Sequence, residues 1–188
     1  MTLLKNPQSL SELIRARRTV SVFEDREVSR ERLLDAIDVA RWAPNHRMTE
    51  PWRFYLFGPD ARAHTLDLIE VIATERVDAE MGQRKRASWS RVPAWVLVTC
   101  PFSQEAIRQQ EDYAACACAI HNLSLCLWES GIGMKWSTGS ITRDHRYLDA
   151  LGIDVEAEFV VGLLMIGYPK TVPQKQRKAV ESIVTQLA

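Results

Sequence analysis

A long, almost uncharged helix is predicted in the second half of the chain. Residues 104–130 contain neither proline nor glycine, and the stretch from Ala114 to Trp128 contains no Asp, Glu, Lys or Arg. A helix that is apolar on most sides has to be buried, either at the centre of a protein or in a subunit interface. A subunit of 188 residues buries such a helix with difficulty, so the pattern favours a homodimer.

Four apolar runs are predicted to be strands, and helical segments separate them. The strand candidates are residues 52–57, 94–100, 134–137 and 159–166. Apolar side chains recur at helical spacing in further segments, at residues 9–18, 29–43, 61–79, 143–151 and 178–187. Residues 82–90 are predicted to form a polar, flexible stretch. Because these sequence distances exclude simple hairpins, we expect one domain of mixed α and β structure over residues 1–188.

Several helix ends are marked by capping residues. Ser9 or Ser11 is expected to cap the first helix and Ser29 the second, because a serine hydroxyl accepts a hydrogen bond from a free N–H of the first turn. Gly131 and Gly133 are expected to end the long helix, since glycine adopts the left-handed conformation that follows many helices.

The composition excludes several classes of function. The 24 basic and 24 acidic residues cancel, so no net charge attracts nucleic acid or an anionic membrane. No run approaches 18 apolar residues, and the N-terminus lacks the pattern of a signal peptide. The four cysteines fit neither a zinc site nor a dense set of disulfides. We therefore expect reduced thiols, no metal, no membrane association and a cytoplasmic location.

Basic and hydroxyl side chains are concentrated at the end of the first predicted helix. Residues 15–21 have the sequence RARRTVS. Arginines near a helix C-terminus complement the helix dipole, which accounts for one or two of them but not for the hydroxyls that follow. Guanidinium groups beside Thr and Ser hydroxyls are the donors that a phosphate monoester needs. The segment therefore predicts a site for a small anionic ligand.

A polar loop between the second helix and the first strand is the other candidate. Residues 41–54 have the sequence RWAPNHRMTEPWRF, and loops at the end of rigid elements often carry binding residues. A connector bounded by prolines is the competing interpretation. The chain has no dinucleotide-binding fingerprint, no phosphate loop of the Walker type, no nucleophile elbow and no histidine pair spaced for a metal.

The chain resembles the FMN-dependent nitroreductase family, in its short single-domain branch. Four segments carry the resemblance, in the family's order and at similar spacing: RRTVSVF, ARWAPNHRMTEPWRF, GIGMKWSTG and VGLLMIGYP. It extends from about residue 10 to about residue 180. It implies an α+β fold around a central, mainly antiparallel sheet. It also implies an obligate homodimer with a helical interface and two FMN sites, each lined by both subunits.

The resemblance assigns FMN contacts residue by residue. They are the phosphate and ribityl contacts Arg17, Arg18 and Thr19 with Ser21 nearby, the loop residues Asn45, His46 and Glu50 that face the other subunit's flavin, the strand residues Trp136, Ser137 and Thr138, and the late basic residue Arg177.

Two departures from the family are visible. Met48 and Glu50 stand where many members have Asn and Gln; an ionised Glu only accepts hydrogen bonds, whereas Gln also donates. Longer members of the family have an extra helical segment that covers the flavin. In this chain, residues 76–90 are the only segment comparable to it.

The implied reaction is a ping-pong exchange. NADH or NADPH passes a hydride to flavin N5, and a nitroaromatic, quinone or similar acceptor then takes the same place. No general acid or base is assigned, and Lys135 and Arg17 are candidates for a positive charge near flavin N1 and O2. Two alternatives remain open. One is an enzyme of the same fold with other chemistry, such as reductive dehalogenation or breakdown of the flavin. The other is a flavin-binding dimer that is not an enzyme.

Overall fold

The computed structural model describes residues 9–187. The first eight residues, which bear on the expected lack of a signal peptide, lie outside this range. The strands are β1 (Arg53–Leu56), β2 (Ala94–Pro101), β3 (Gly133–Ser137) and β4 (Glu158–Gly167). The α-helices are α1 (Leu10–Ala16), α2 (Arg30–Ala40), α3 (Pro59–Arg76), α4 (Ala79–Ser90), α5 (Ala106–Glu129) and α6 (His145–Ala150). Short 3₁₀ turns lie at His46–Met48, Ser140–Arg143 and Val180–Ser182.

The four strands form one antiparallel sheet in the order β1-β2-β4-β3. All eight residues of β2 pair with β4, from Ala94 opposite Ile166 to Pro101 opposite Glu158, with a register shift between Val98 and Thr99. Helices cover both faces of these strands, which explains why their sequences are continuous apolar runs instead of alternating ones. The predicted α+β fold with a mainly antiparallel sheet is confirmed.

Two apolar cores lie on opposite faces of the sheet. Helices α2 and α5 pack on the face that carries Val96 and Leu164. Helices α3 and α6 pack on the face that carries Leu97 and Leu163. Successive side chains of β2 and β4 therefore enter different cores, as the pleat of a strand requires.

Helix α5 is buried along one stripe and open along another. Ala119, Ile120 and Leu123 are at most 1% exposed. The adjacent face is partly or fully accessible in a single subunit, and it includes Ala114, Ala117, Cys118 and His121. An open helix face without charged side chains is typical of subunit interfaces.

The stretch 82–90 is helical, so the prediction of a flexible segment is wrong. Asp78 caps the N-terminus of α4 with its side chain. Gly82 lies so close to α3 that an added Cβ would overlap Thr74. Arg86 forms ion pairs with two carboxylates of α3. These tertiary contacts stabilise a helix whose own sequence is only weakly amphipathic.

The prediction of a last helix over residues 178–187 is also wrong. This part of the chain contains a single 3₁₀ turn and otherwise no regular structure. Its apolar side chains are exposed, with Ile183 at 71% and Leu187 at 87%. A helix this short depends on packing of its apolar face, and within one subunit these side chains are not covered.

The observed helix ends agree with most of the predicted caps. Ser9 forms a capping box with Glu12, and the Ser29 side chain accepts from a first-turn N–H of α2. Gly131 follows α5 with a φ of 77°, which is the left-handed conformation expected there. Gly133 is instead the first residue of β3, so its predicted role as a helix end is wrong. Among the described helices, none is long and apolar enough to cross a membrane.

Candidate functional site

The arginine segment lies beside the edge strand β3. Thr19 and Met134 form a parallel bridge, and the Val20 N–H donates to the Met134 carbonyl oxygen at 3.1 Å. Gly133 permits this approach, because an added Cβ would overlap the side chain of Val20. Two of the predicted site segments therefore share one edge of the sheet.

Three guanidinium groups lie near that edge. Arg17 is partly buried, and its pKa is lowered by burial and by the charges of Arg177 and Arg18. Arg18 donates from Nη1 to the carbonyl oxygens of Arg15 and Arg17, so it also satisfies free carbonyls at the end of α1. Across residues 9–187, none of these arginines is paired with a carboxylate. Concentrated and uncompensated positive charge of this kind suits a phosphate monoester.

Ser21 faces α4 across a cavity of about 320 Å³. Arg84 and Ser88 of α4, and Arg91 directly after it, also line this cavity. Sequence reasoning missed these residues, because residues 82–90 were predicted to be flexible. Their contribution depends on the packing of α4 against α3, which no local pattern indicates.

A second cavity, of about 340 Å³, lies between β3 and the α3–α4 pair. We call it the ring cavity. Its apolar lining includes Ile69, Ile72, Met81, Trp89 and Ile141, and its polar lining includes Arg76, Lys85, Lys135, Ser137 and the backbone of Gly139. Lys135 and Ser137 share a face of β3 because they are two residues apart. Within the part of the chain that the structure describes, neither Lys85 nor Lys135 forms an ion pair.

Trp136 points to the other face of the sheet. Its indole Nε1 donates to the Val161 carbonyl oxygen at 3.0 Å, and the ring lies against Gly162, where a Cβ would overlap it. The indole therefore packs under β3 on the face of the sheet that α5 covers. A ligand on the opposite face, where the Ser137 side chain lies, could contact only the main chain of Trp136. Thr138 follows the end of β3 and is exposed.

The polar loop before β1 has an unusual backbone. Arg47, Met48 and Glu50 have φ values of 60°, 52° and 44°. Residues other than glycine rarely adopt this left-handed conformation, and clusters of it occur at functional sites. His46, Met48 and Glu50 are exposed.

Asn45 and Thr49 hold this loop in place. The Asn45 carbonyl Oδ1 accepts from the Glu50 N–H at 2.6 Å, and its Nδ2 donates to Thr49 Oγ1 at 2.9 Å. Thr49 in turn donates to Asp112 of α5, which is 7% exposed. The Asn45 side chain is thus occupied within the loop, and His46 and Glu50 are the predicted residues that the loop presents outward.

The loop and the arginine cluster lie far apart within one subunit. They flank opposite edges of the sheet, which are three strand spacings or about 14 Å apart. Across the sheet, Arg53 is aligned through Thr99 with Val160 of β4, whereas Met134 is aligned with Ile166. These two positions on β4 are about 20 Å apart along the strand. The diagonal between Arg53, which follows the loop, and Met134, which adjoins the arginine segment, is therefore about 25 Å.

Comparisons with known proteins identify the family of the chain and confirm its fold. The family model described as the nitroreductase family matches residues 14–168. The chain is 31% identical to YfhC of Bacillus subtilis, which is named as an NAD(P)H nitroreductase, over 95% of this chain and 94% of that protein. A nitroreductase-like family protein from Bacillus cereus superposes with a TM-score of 0.89 at 29% identity, covering 96% of both chains. A Bacteroides fragilis nitroreductase with bound FMN superposes with a TM-score of 0.74 at 22% identity, over 96% of this chain and 100% of that one.

The family model covers most of the chain, and the Bacillus subtilis relative is aligned over nearly all of it. The chain belongs to the nitroreductase family.

Proposed function

We propose that the protein is an NAD(P)H-dependent oxidoreductase that uses FMN as its redox cofactor. The observation that carries the proposal is the convergence of Arg17, Arg18 and Arg177 next to the edge strand β3, without a carboxylate partner among the described residues. These arginines, with Thr19, bind the phosphate of FMN. The sequence has no dinucleotide-binding fingerprint that would hold a second phosphate, so FMN is preferred to FAD.

The ring cavity has the position and the chemistry for the flavin ring. It begins one residue beyond the bridge between Thr19 and Met134, and it combines apolar walls with Lys85, Lys135 and Ser137. Bound there, FMN would supply hydride transfer between NADH or NADPH and an electron acceptor. Lys135 and Lys85 place positive charge beside the ring, which stabilises negative charge that develops there on reduction. The apolar walls exclude water from the same space.

A second copy of the chain completes the site. The loop of Asn45, His46 and Glu50 leads into β1 at Arg53, and the arginine cluster adjoins β3 at Met134; these two sheet positions are about 25 Å apart in one subunit. We infer that the loop and the arginine cluster of one subunit do not contact the same flavin. The open, uncharged face of α5 provides an interface, and the loop is fastened to α5 through Asp112. A homodimer formed through α5 therefore carries the loop of each subunit towards the flavin of the other.

An absorbance spectrum of the purified protein tests this function. We expect a yellow protein that retains FMN and takes up FAD poorly. Under anaerobic conditions NADH or NADPH should bleach the flavin absorbance, and a nitroaromatic or quinone should restore it. A colourless protein that takes up no added FMN would contradict the proposal. FMN binding without any bleaching by either nucleotide would instead support a flavin-binding protein that is not an enzyme.

A further inference from the structure

A third cavity lies at the end of β3, next to the ring cavity. Its volume is about 460 Å³, within the range of pockets that bind small organic ligands. We call it the end cavity. Thr138 lines it, whereas the neighbouring residues Ser137 and Gly139 line the ring cavity. Consecutive residues of one segment therefore line the two cavities, so the end cavity is next to the ring cavity across the main chain at Thr138.

Aromatic rings form one wall of the end cavity. Phe102 and Phe159 have ring centroids 5.2 Å apart, and Tyr113 stacks on Phe159 with a centroid distance of 6.4 Å and an angle of 23° between the ring planes. In a single subunit, Phe102 and Tyr113 are 54% and 43% exposed. Large rings left open around a cavity provide a surface on which a planar aromatic ligand can stack.

The polar side of the end cavity is basic. Arg143 and His145 line it, and within residues 9–187 Arg143 forms no ion pair. Arg146, only three residues later, forms ion pairs with Asp144 and Glu75. Of these two arginines, the one that lines the cavity is therefore the one without an acidic partner among the described residues.

The one acidic residue that lines the end cavity does not cancel this charge. Glu158 is 4% exposed, and its carboxylate accepts from Tyr55 at 2.7 Å and from Thr99, with Arg53 at 3.3 Å. The negative charge of the Glu158 carboxylate is therefore compensated by these three donors. The accessible charge of the lining comes from Arg143.

We propose that the end cavity binds the electron acceptor, and that the preferred acceptor is a planar aromatic compound with an anionic substituent such as a carboxylate. This inference rests on the proposed function. The aromatic wall stacks on the acceptor ring, and Arg143 binds the anionic group through a charge-assisted hydrogen bond. Arg143 is thus the residue that determines specificity, and Tyr113 contributes affinity for the ring without regard to charge.

A matched pair of acceptors tests the role of Arg143. Steady-state kinetics should be measured with 4-nitrobenzoate and with neutral nitrobenzene, using the FMN-loaded enzyme. Arg143→Gln should lower kcat/KM for 4-nitrobenzoate about tenfold, mainly through KM, and change the value for nitrobenzene less than about twofold. Arg143→Lys should recover part of the loss, because lysine keeps the charge but not the fork. Arg30→Ala, which removes an exposed charge at the start of α2, should change neither value.

Two further measurements separate the outcomes. Tyr113→Ala should lower kcat/KM for both acceptors by a similar factor, because it removes stacking area alone. The rate constant for anaerobic reduction of bound FMN at saturating NAD(P)H, measured without acceptor, should stay the same in the Arg143 variants, because Arg143 acts on binding of the anionic group and not on hydride transfer to the flavin. Equal loss on both acceptors in Arg143→Gln, or no loss on either, would overturn the proposal for the end cavity. Failure of FMN reduction in the unmodified protein would overturn the proposed function itself.

Discussion

Replacing Arg17 by alanine should weaken FMN binding about ten- to a hundredfold. The substitution removes one charge-assisted contact to the phosphate, worth about 1.5 to 3 kcal/mol. Without the cofactor the fold should be at least as stable as before. The pKa of Arg17 is lowered by burial, by Arg177 and by Arg18, which means that folding disfavours its charged form. Titration with FMN gives the affinity, and thermal melting of the apoprotein gives the stability.

Arg15 is the matched control for this prediction. It carries the same charge, but it is exposed in the last turn of α1, two residues before Arg17. Arg15→Ala should therefore affect FMN affinity least. Arg18→Ala should weaken FMN as well and should also lower the melting temperature, because Arg18 caps the end of α1. Equal losses in all three variants would point to diffuse electrostatics and contradict the residue assignment. If none of them weakened binding, Arg177 would become the principal phosphate ligand.

Replacing Gly162 by alanine should destabilise the protein by about 2 to 3 kcal/mol or more, as overpacking of a well-filled core does. Gly162 is in the central strand β4, and an added Cβ would overlap the indole of Trp136. The indole could move only by losing its hydrogen bond to the Val161 carbonyl oxygen. Urea unfolding followed by tryptophan fluorescence measures the change in the free energy of unfolding.

Gly139→Ala is the control for this loss of stability. Its Cβ would meet only the Ser137 hydroxyl at 3.8 Å, an ordinary contact, and Gly139 has a φ of −62° that alanine adopts readily. We expect a change within about 1 kcal/mol. A Gly162→Ala variant as stable as Gly139→Ala would show that the indole of Trp136 is not held against β4.

The sequence predicted the elements that carry their own apolar pattern. The buried strands β2 and β4 and the uncharged helix α5 were placed within a few residues of their observed bounds, because continuous apolar runs have few alternatives to burial. Helix α4 was missed, since its stability comes from Gly82 and Arg86 packing on α3 and not from its own periodicity. The last helix was predicted wrongly for the opposite reason. The apolar side chains around Ile183 recur at helical spacing, but within one subunit they have no surface to pack against.

The candidate site was predictable in its residue types more than in its geometry. The RARRTVS segment indicated an anion site from donor chemistry alone. Which arginines meet, and that α4 contributes Lys85, required the tertiary fold. The direction of Trp136 depends on the register of β3 against β4, and a shift of one residue would reverse it. The left-handed backbone at Arg47 and Met48 had no signal in the sequence, because neither residue is of a type that favours it.

The central claim is that each FMN site is built from the arginine cluster of one subunit and the loop of the other. Mixed dimers of two differently tagged variants test it most directly. Arg17→Ala damages the arginine cluster, and Asn45→Ala removes the hydrogen bonds that hold the loop. In either homodimer, both sites then carry one lesion and should bind FMN weakly. In the mixed dimer, one site carries both lesions and the other carries none.

The mixed dimer should therefore bind about one FMN with the affinity of the unmodified protein, and circular dichroism should show that all three dimers are folded. If each site lay within a single subunit, every site of the mixed dimer would contain one lesion. A mixed dimer that binds no FMN tightly would contradict the account.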